Sequence, residues 1–215
     1  MVENIRTDSS YYYFMKRLFD LALISIAFLL FFSVWMSIVL LCSFFIWFED
    51  QGRVLYSQLR MGKNGVPFLI WKFRTMRLSQ KGSGSVWTVP DDARVTRFGR
   101  MLRMTALDEL PQLLNIIKGD MSFVGPRPFV IEESALCQEK IPGFNDRLQV
   151  LPGLTSLAEI YDEFDDPRKM IFFDRQYIAQ ATLGVDIKLI LLSIRKTISG
   201  QWDKRRGKVF HECHE

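Results

Sequence analysis

Residues 21–48, "LALISIAFLLFFSVWMSIVLLCSFFIWF", run 28 residues without a charge. A continuous helix of that length extends about 42 Å, against a hydrocarbon core of about 30 Å. The run is too long and too apolar for a signal-peptide h-region, and no A-x-A-like cleavage site follows it. It reads as a retained membrane segment, and the rest of the chain is arranged around it.

Basic residues flank both ends: Arg6, Lys16 and Arg17 before, Arg53, Arg60 and Lys63 after. The positive-inside rule therefore assigns no orientation to a single crossing. Composition favours a spanning helix. A segment that dips in and returns would instead put both basic flanks on the cytoplasmic side. It needs a weak point near its middle, for which Ser33 and Ser37 are the modest candidates.

The remaining part, about 165 residues, suffices for one compact core. The formal net charge of +4 suits an anionic membrane surface or a phosphorylated substrate. Cys42, Cys137 and Cys213 show no paired spacing, so no disulfide framework is expected and a reducing cytosolic setting fits. The end "HECHE" (211–215) holds metal-ligand types, but two histidines and a cysteine at a fraying terminus make a poor site.

After the apolar run, "RVLYSQLRMGKNGVPFLIWKFRTM" (53–76) predicts a β-hairpin: two β-branched and aromatic runs surround the turn "GKNG". Alternation puts Phe68, Ile70 and Lys72 on one face, Leu69, Trp71 and Phe73 on the other. "LSQKGSGSVWTVPDD" (78–92) reads as a Gly/Ser-rich loop. In "RVTRFGRMLRMTALDELPQLLNIIKGDMSFVGPRP" (94–128), Leu107, Leu110, Leu114 and Ile117 follow helical spacing, and Gly119 ends the helix. "GPRP" then holds Arg127 in a stiff extended turn. In "DIKLILLSIRKTIS" (186–199), Ile187, Ile190, Leu191, Ile194 and Ile198 form a stripe with Lys188, Arg195 and Lys196 off it. The pattern fits a core helix or a basic helix lying in a membrane interface.

Asp108 and Glu109 precede Pro111 at the start of that central helix. With Asp108 as N-cap, Pro111 falls at N3, where its missing N–H costs nothing; a Thr105–Asp108 capping box would push it to N6. Capping alone could account for Asp108. Yet Lys72, Arg74, Arg77, Arg94, Arg97, Arg100, Arg103 and Arg127 supply many cations around the pair. Such cations and the helix start would depress both carboxylates, making them poor proton carriers but suitable for Mg²⁺ and a phosphorylated substrate, with arginines as phosphate clamps. A depressed carboxylate is also free to act as a nucleophile. The plain alternative is a solvated or lipid-facing basic face.

"KRLFDL", "KFRTM", "LDELPQLLNIIKGDMSFVGPRP", "PGLT" and "YIAQATLGVDIKLILL" occur in the order seen in the bacterial sugar transferases, and the chain resembles that family from about Lys16 to Ser199. The family comprises monotopic polyprenyl-phosphate phosphoglycosyl transferases, and this would be its short, single-domain form. The resemblance implies an α+β fold: an N-terminal re-entrant membrane helix broken at Ser33, a small β-hairpin, and helices that include interfacial amphipathic ones. It divides the chain into a tail and membrane helix (1–48), a catalytic domain on the cytoplasmic face of the bacterial inner membrane (49–205), and a C-terminal tail (206–215). The re-entrant geometry replaces the spanning helix that composition favours.

The implied reaction moves a sugar-1-phosphate from a UDP-sugar to undecaprenyl phosphate, releasing UMP with Mg²⁺, as a first membrane step of surface glycan or glycoprotein synthesis. By motif, Asp108 resembles the nucleophile and Glu109 its dyad partner, both near the metal. Lys72, Arg103 and Arg127 resemble the phosphate-contacting cations. Membrane lipid is the other expected partner; a homodimer is left open, as is the sugar. Departures are Val34 after Ser33 where Ser-Pro is common, Arg53 where proline is common, and Glu159 where "GLAQ" would supply glutamine. An acidic run follows (Asp162, Glu163, Asp165, Asp166). A non-catalytic basic scaffold would use the cations but gives no reason for the Asp-Glu pair; nucleic-acid binding is disfavoured by the acidic run and the anchor.

Overall fold

The computed structural model describes residues 9–77, 92–161, 166–199 and 202. The Gly/Ser-rich loop apart from Asp92, the acidic residues Asp162, Glu163 and Asp165, and "HECHE" lie outside them. Helix α1 (Ser9–Asp50) takes in the whole apolar run, and its backbone leaves helical geometry at Phe31 (φ −124°, ψ 26°). That point lies two residues before Ser33, whose carbonyl accepts from Ser37 Oγ at 2.8 Å. It is the one described helix long and apolar enough to cross a membrane.

The expected hairpin is present: β1 (Leu55–Met61) pairs antiparallel with β2 (Pro67–Phe73) from Leu55↔Phe73 to Met61↔Pro67. Its turn is closed by Asn64 at φ 56°, a conformation asparagine tolerates. Helix α2 (Arg97–Thr105) starts at Thr96, whose Oγ1 accepts from the Gly99 N–H at 2.9 Å. Gly99 is required here, because a Cβ would come within 2.2 Å of the Thr75 carbonyl oxygen. The absence of a side chain lets α2 lie directly on the strand end.

After α2, Ala106 turns left-handed (φ 55°) and residues Leu107–Gln112 form a 3₁₀ helix that leads into α3 (Leu113–Lys118). Asp108 is therefore not an N-cap but the second residue inside a 3₁₀ turn. No capping box forms either: Thr105 Oγ1 donates to the Met101 and Leu102 carbonyls. Pro111 explains the tighter turn, since its ring and missing N–H oppose α-helix at that place. The change of pitch also breaks the expected apolar stripe. Leu107 and Leu110 pack beside Phe73 and Leu102, whereas Leu114 and Ile117 are about half exposed and Asn115 and Ile116 are buried. Gly119 ends α3 at φ 95°, as the sequence predicts.

A second, parallel sheet joins β3 (Ser122–Val124) to β4 (Gly153–Thr155). Between them come α4 (Ile131–Lys140) and a 3₁₀ turn (Phe144–Gln149); after them come α5 (Leu157–Tyr161), α6 (Pro167–Gln180) and α7 (Leu183–Ile198). Asp166, last of the acidic run, caps α6. In α7, Leu189 is buried and Val185 and Ile190 pack inward, while Ile187, Leu191, Ile194 and Ile198 face out. Cys137 is disulfide-bonded, against the expectation from cysteine spacing.

Both ends of α1 rest on this one domain. Near its start, Lys16 pairs with Asp186 of α7 at 2.7 Å, and Arg17 donates to the carbonyls of Ile116 and Ile117 in α3. Near its end, Cys42 and Ile46 pack with Phe73 and Leu102, and the Glu49 carboxylate accepts the Arg97 and Phe98 N–H groups. Between these attachments Leu29, Leu30, Phe31 and Leu40 are exposed.

Candidate active site

The five expected site residues meet through direct contacts or their fields. Lys72, near the end of β2, donates Nζ to Glu109 Oε1 at 2.6 Å. Arg127, in the turn after β3, brings Nη1 to 3.9 Å from the same oxygen. Asp108 is buried, with Lys72, Arg103 and Arg127 acting on its charge. The fifth, Arg103, is oriented by Nε donation to Thr75 Oγ1 at 2.9 Å.

The two carboxylates are opposites. Glu109 is held down to about 2: burial alone would raise it, but Lys72 and Arg127 outweigh that. Asp108 is pushed up to about 6, because burial and the Glu109 charge exceed the pull of Lys72, Arg103 and Arg127. The sequence-based expectation that both would be depressed is thus corrected for Asp108. The 3₁₀ turn directs one side chain to the cations and leaves its neighbour without a hydrogen bond among the described residues.

A buried carboxylate with no hydrogen-bond donor can ligate a cation. Asp108 and Glu109 are the residues here that could hold Mg²⁺. The described residues hold no cluster of three or more acidic, histidine or cysteine ligands that could enclose a metal by itself.

Three residues absent from the expected set also belong here. Arg60 of β1, read from sequence only as a basic flank, donates Nη1 to the Pro128 carbonyl at 3.1 Å; burial and the Arg127 charge lower it to about 10. Register would have found it: Arg60 lies opposite Phe68, on the face that carries Lys72. Arg147 donates to the Arg127 carbonyl at 2.6 Å. Glu159, treated as a departure, is buried and ion-paired with Arg127. These last two contacts span 20 and 32 residues, beyond any local pattern.

The family described as bacterial sugar transferase matches residues 11–200. A UDP-glucose:undecaprenyl-phosphate glucose-1-phosphate transferase of Escherichia coli (strain K12) is 34% identical over 85% of this chain and 40% of its own length. A putative undecaprenyl-phosphate N-acetylgalactosaminyl 1-phosphate transferase of Bacillus subtilis (strain 168) is 42% identical over 64% of this chain and 74% of its own. The uncharacterized sugar transferase EpsL of the same organism is 35% identical over 92% of this chain and 94% of its own. The chain thus spans about two fifths of the length of the Escherichia coli relative.

Proposed function

This chain belongs to the bacterial sugar transferase family, and on that premise we propose that it transfers a sugar-1-phosphate from a UDP-sugar to undecaprenyl phosphate. The observation that carries the proposal is the contrast inside the dyad: Asp108 buried without a hydrogen bond, Glu109 held through Oε1 by Lys72 and Arg127. A carboxylate without hydrogen bonds keeps its lone pairs for a phosphorus atom, and the cations meet the charge that develops.

In the first step an Asp108 oxygen attacks the β-phosphorus of the UDP-sugar. An O–P bond to Asp108 forms, the bond to the bridging oxygen breaks, and UMP leaves. In the second step a phosphate oxygen of undecaprenyl phosphate attacks the same phosphorus and Asp108 departs as carboxylate. Lys72, Arg103 and Arg127 bind and orient the phosphates; Glu109 holds Lys72 and Arg127 toward them. Mg²⁺, held by Asp108 and Glu109, would neutralise diphosphate charge and ease loss of UMP.

We place α1 in the bacterial cytoplasmic membrane as a re-entrant helix, with the catalytic domain on the cytoplasmic face. Its two ends attach to one domain and its backbone departs from helix at Phe31, which favours a return to the same side over a crossing. The outward stripe of α7 and exposed Leu114 and Ile117 offer further apolar area to the interface. UMP release over a panel of UDP-sugars, with undecaprenyl phosphate and Mg²⁺ in membranes, tests the activity and identifies the sugar. No release from any donor refutes it. An N-terminal tag reachable only from outside the cell ends the re-entrant reading.

A further inference from the structure

The turn carrying Arg127 is held at its backbone by two arginines, and the Arg127 guanidinium by a buried glutamate. Arg147 grips the Arg127 carbonyl; it is buried over the Phe129 ring, 3.9 Å from the centroid, and pairs with Asp174 at 3.0 Å. Arg60 grips the next carbonyl, that of Pro128. These contacts act on the peptide and not on the guanidinium. Glu159 acts on the guanidinium itself: its carboxylate takes Arg127 Nη1, the same nitrogen that lies 3.9 Å from Glu109.

Glu159 is itself immobilised. It is 4% exposed, its N–H donates to Ser156 Oγ at 3.0 Å, and Ser156 Oγ donates to its Oε2 at 3.3 Å. Lys196 of α7 donates to its carbonyl at 2.7 Å. A carboxylate so enclosed does not follow the arginine; the arginine follows it. A negative charge beside a phosphate-binding cation also weakens ground-state attraction for an anionic donor. Retaining it is useful only where orientation in the transition state counts for more than tight donor binding.

We propose that Glu159 is a positioning residue for phosphoryl transfer: it aims the Arg127 guanidinium at the reacting phosphate and offsets part of its charge. The proposal rests on the activity assigned above. The full chain in lipid nanodiscs, as wild type and Glu159→Gln, tests it, with kcat taken per folded enzyme. Glutamine keeps size and an acceptor oxygen, so the fold survives even where Glu159→Ala does not. Expected is a split: KM for the UDP-sugar falls about threefold or more while kcat falls about tenfold. A KM that rises would mean direct contact with the donor. Values within twofold of wild type would mean a purely structural role; either result overturns the proposal, as does an unchanged or increased kcat.

A second arm needs no turnover. Calorimetric binding of inorganic pyrophosphate is expected to tighten about threefold in Glu159→Gln and to show no such gain in the Arg127→Met background. Equal gain in both backgrounds, or none in either, overturns the coupling. This arm reads Glu159 and Arg127 even if the wild type released UMP from no donor, in which case the assigned activity fails separately.

Discussion

Two lysine–carboxylate pairs of the same chemistry stand at opposite duties in this molecule. Lys16–Asp186, 2.7 Å, joins α1 to α7; the side chains are 7% and 1% exposed, and the hydroxyls of Tyr12 (2.9 Å) and Tyr177 (2.7 Å) donate to the two Asp186 oxygens. Lys72–Glu109, 2.6 Å, is more open at 18% and 16%, shares its carboxylate with Arg127, and adjoins the unpartnered Asp108. Saturation marks the first as structural. The second is left one group short, and that deficit is what a substrate or metal can fill.

Breaking the deficit should have the largest effect. Asp108→Asn is expected to lower UMP release at least 1,000-fold, about 4 kcal/mol of transition-state stabilisation, with no phosphosugar adduct detectable on the protein by mass spectrometry. Breaking the saturated pair should cost stability instead. Lys16→Met leaves Asp186 buried without its cation and should lower unfolding free energy by about 3–5 kcal/mol, read by thermal melting in detergent. Lys72→Met should do the reverse: about 100-fold in kcat/KM, near 3 kcal/mol, with a smaller change in melting.

The smallest effect sharpens the comparison through pH. Asp108 is raised from 3.8 to about 6, so between those values the folded chain holds a proton that the unfolded chain has released. Its contribution to stability therefore falls as pH rises through that window. Glu109, lowered from 4.5 to about 2, stabilises above 4.5 and loses that contribution as pH falls toward 2. Asp108→Asn should accordingly melt higher than wild type at pH 7, by on the order of 1–3 kcal/mol, with the advantage gone near pH 4. Phosphosugar adduct formation by the wild type should rise through about pH 6 as Asp108 ionises.

The sequence was most informative where one element carries its own signal. The hairpin followed from alternation around "GKNG", and the end of α3 from Gly119. It was least informative where one residue alters the pitch. Pro111 converts the expected first helical turn to 3₁₀, so Asp108 moves from cap to interior and Leu114 and Ile117 turn outward. The dyad was visible as two acids among cations, but not its division of labour. That division depends on Lys72, which is 37 residues away in sequence, and on which oxygen it reaches. Glu159 stood out only as a departure, its role hidden for the same reason: a buried acid's partner is recognisable only with the distant arginine in place.

Glu49 supplies α2 with the acceptor that its first two N–H groups would otherwise lack, so the end of α1 and the start of the arm carrying Arg103 form one rigid joint. Lys16 and Arg17 fasten the other end as firmly. A rod clamped at both ends has little choice about where to bend, and the one break in its regular backbone is at Phe31. On the re-entrant placement proposed above, a bilayer thinner or thicker than the anchor prefers is absorbed as a change of angle at that point. The height of Asp108 above the lipid then stays constant, and with it the reach to the proposed polyprenyl-phosphate acceptor.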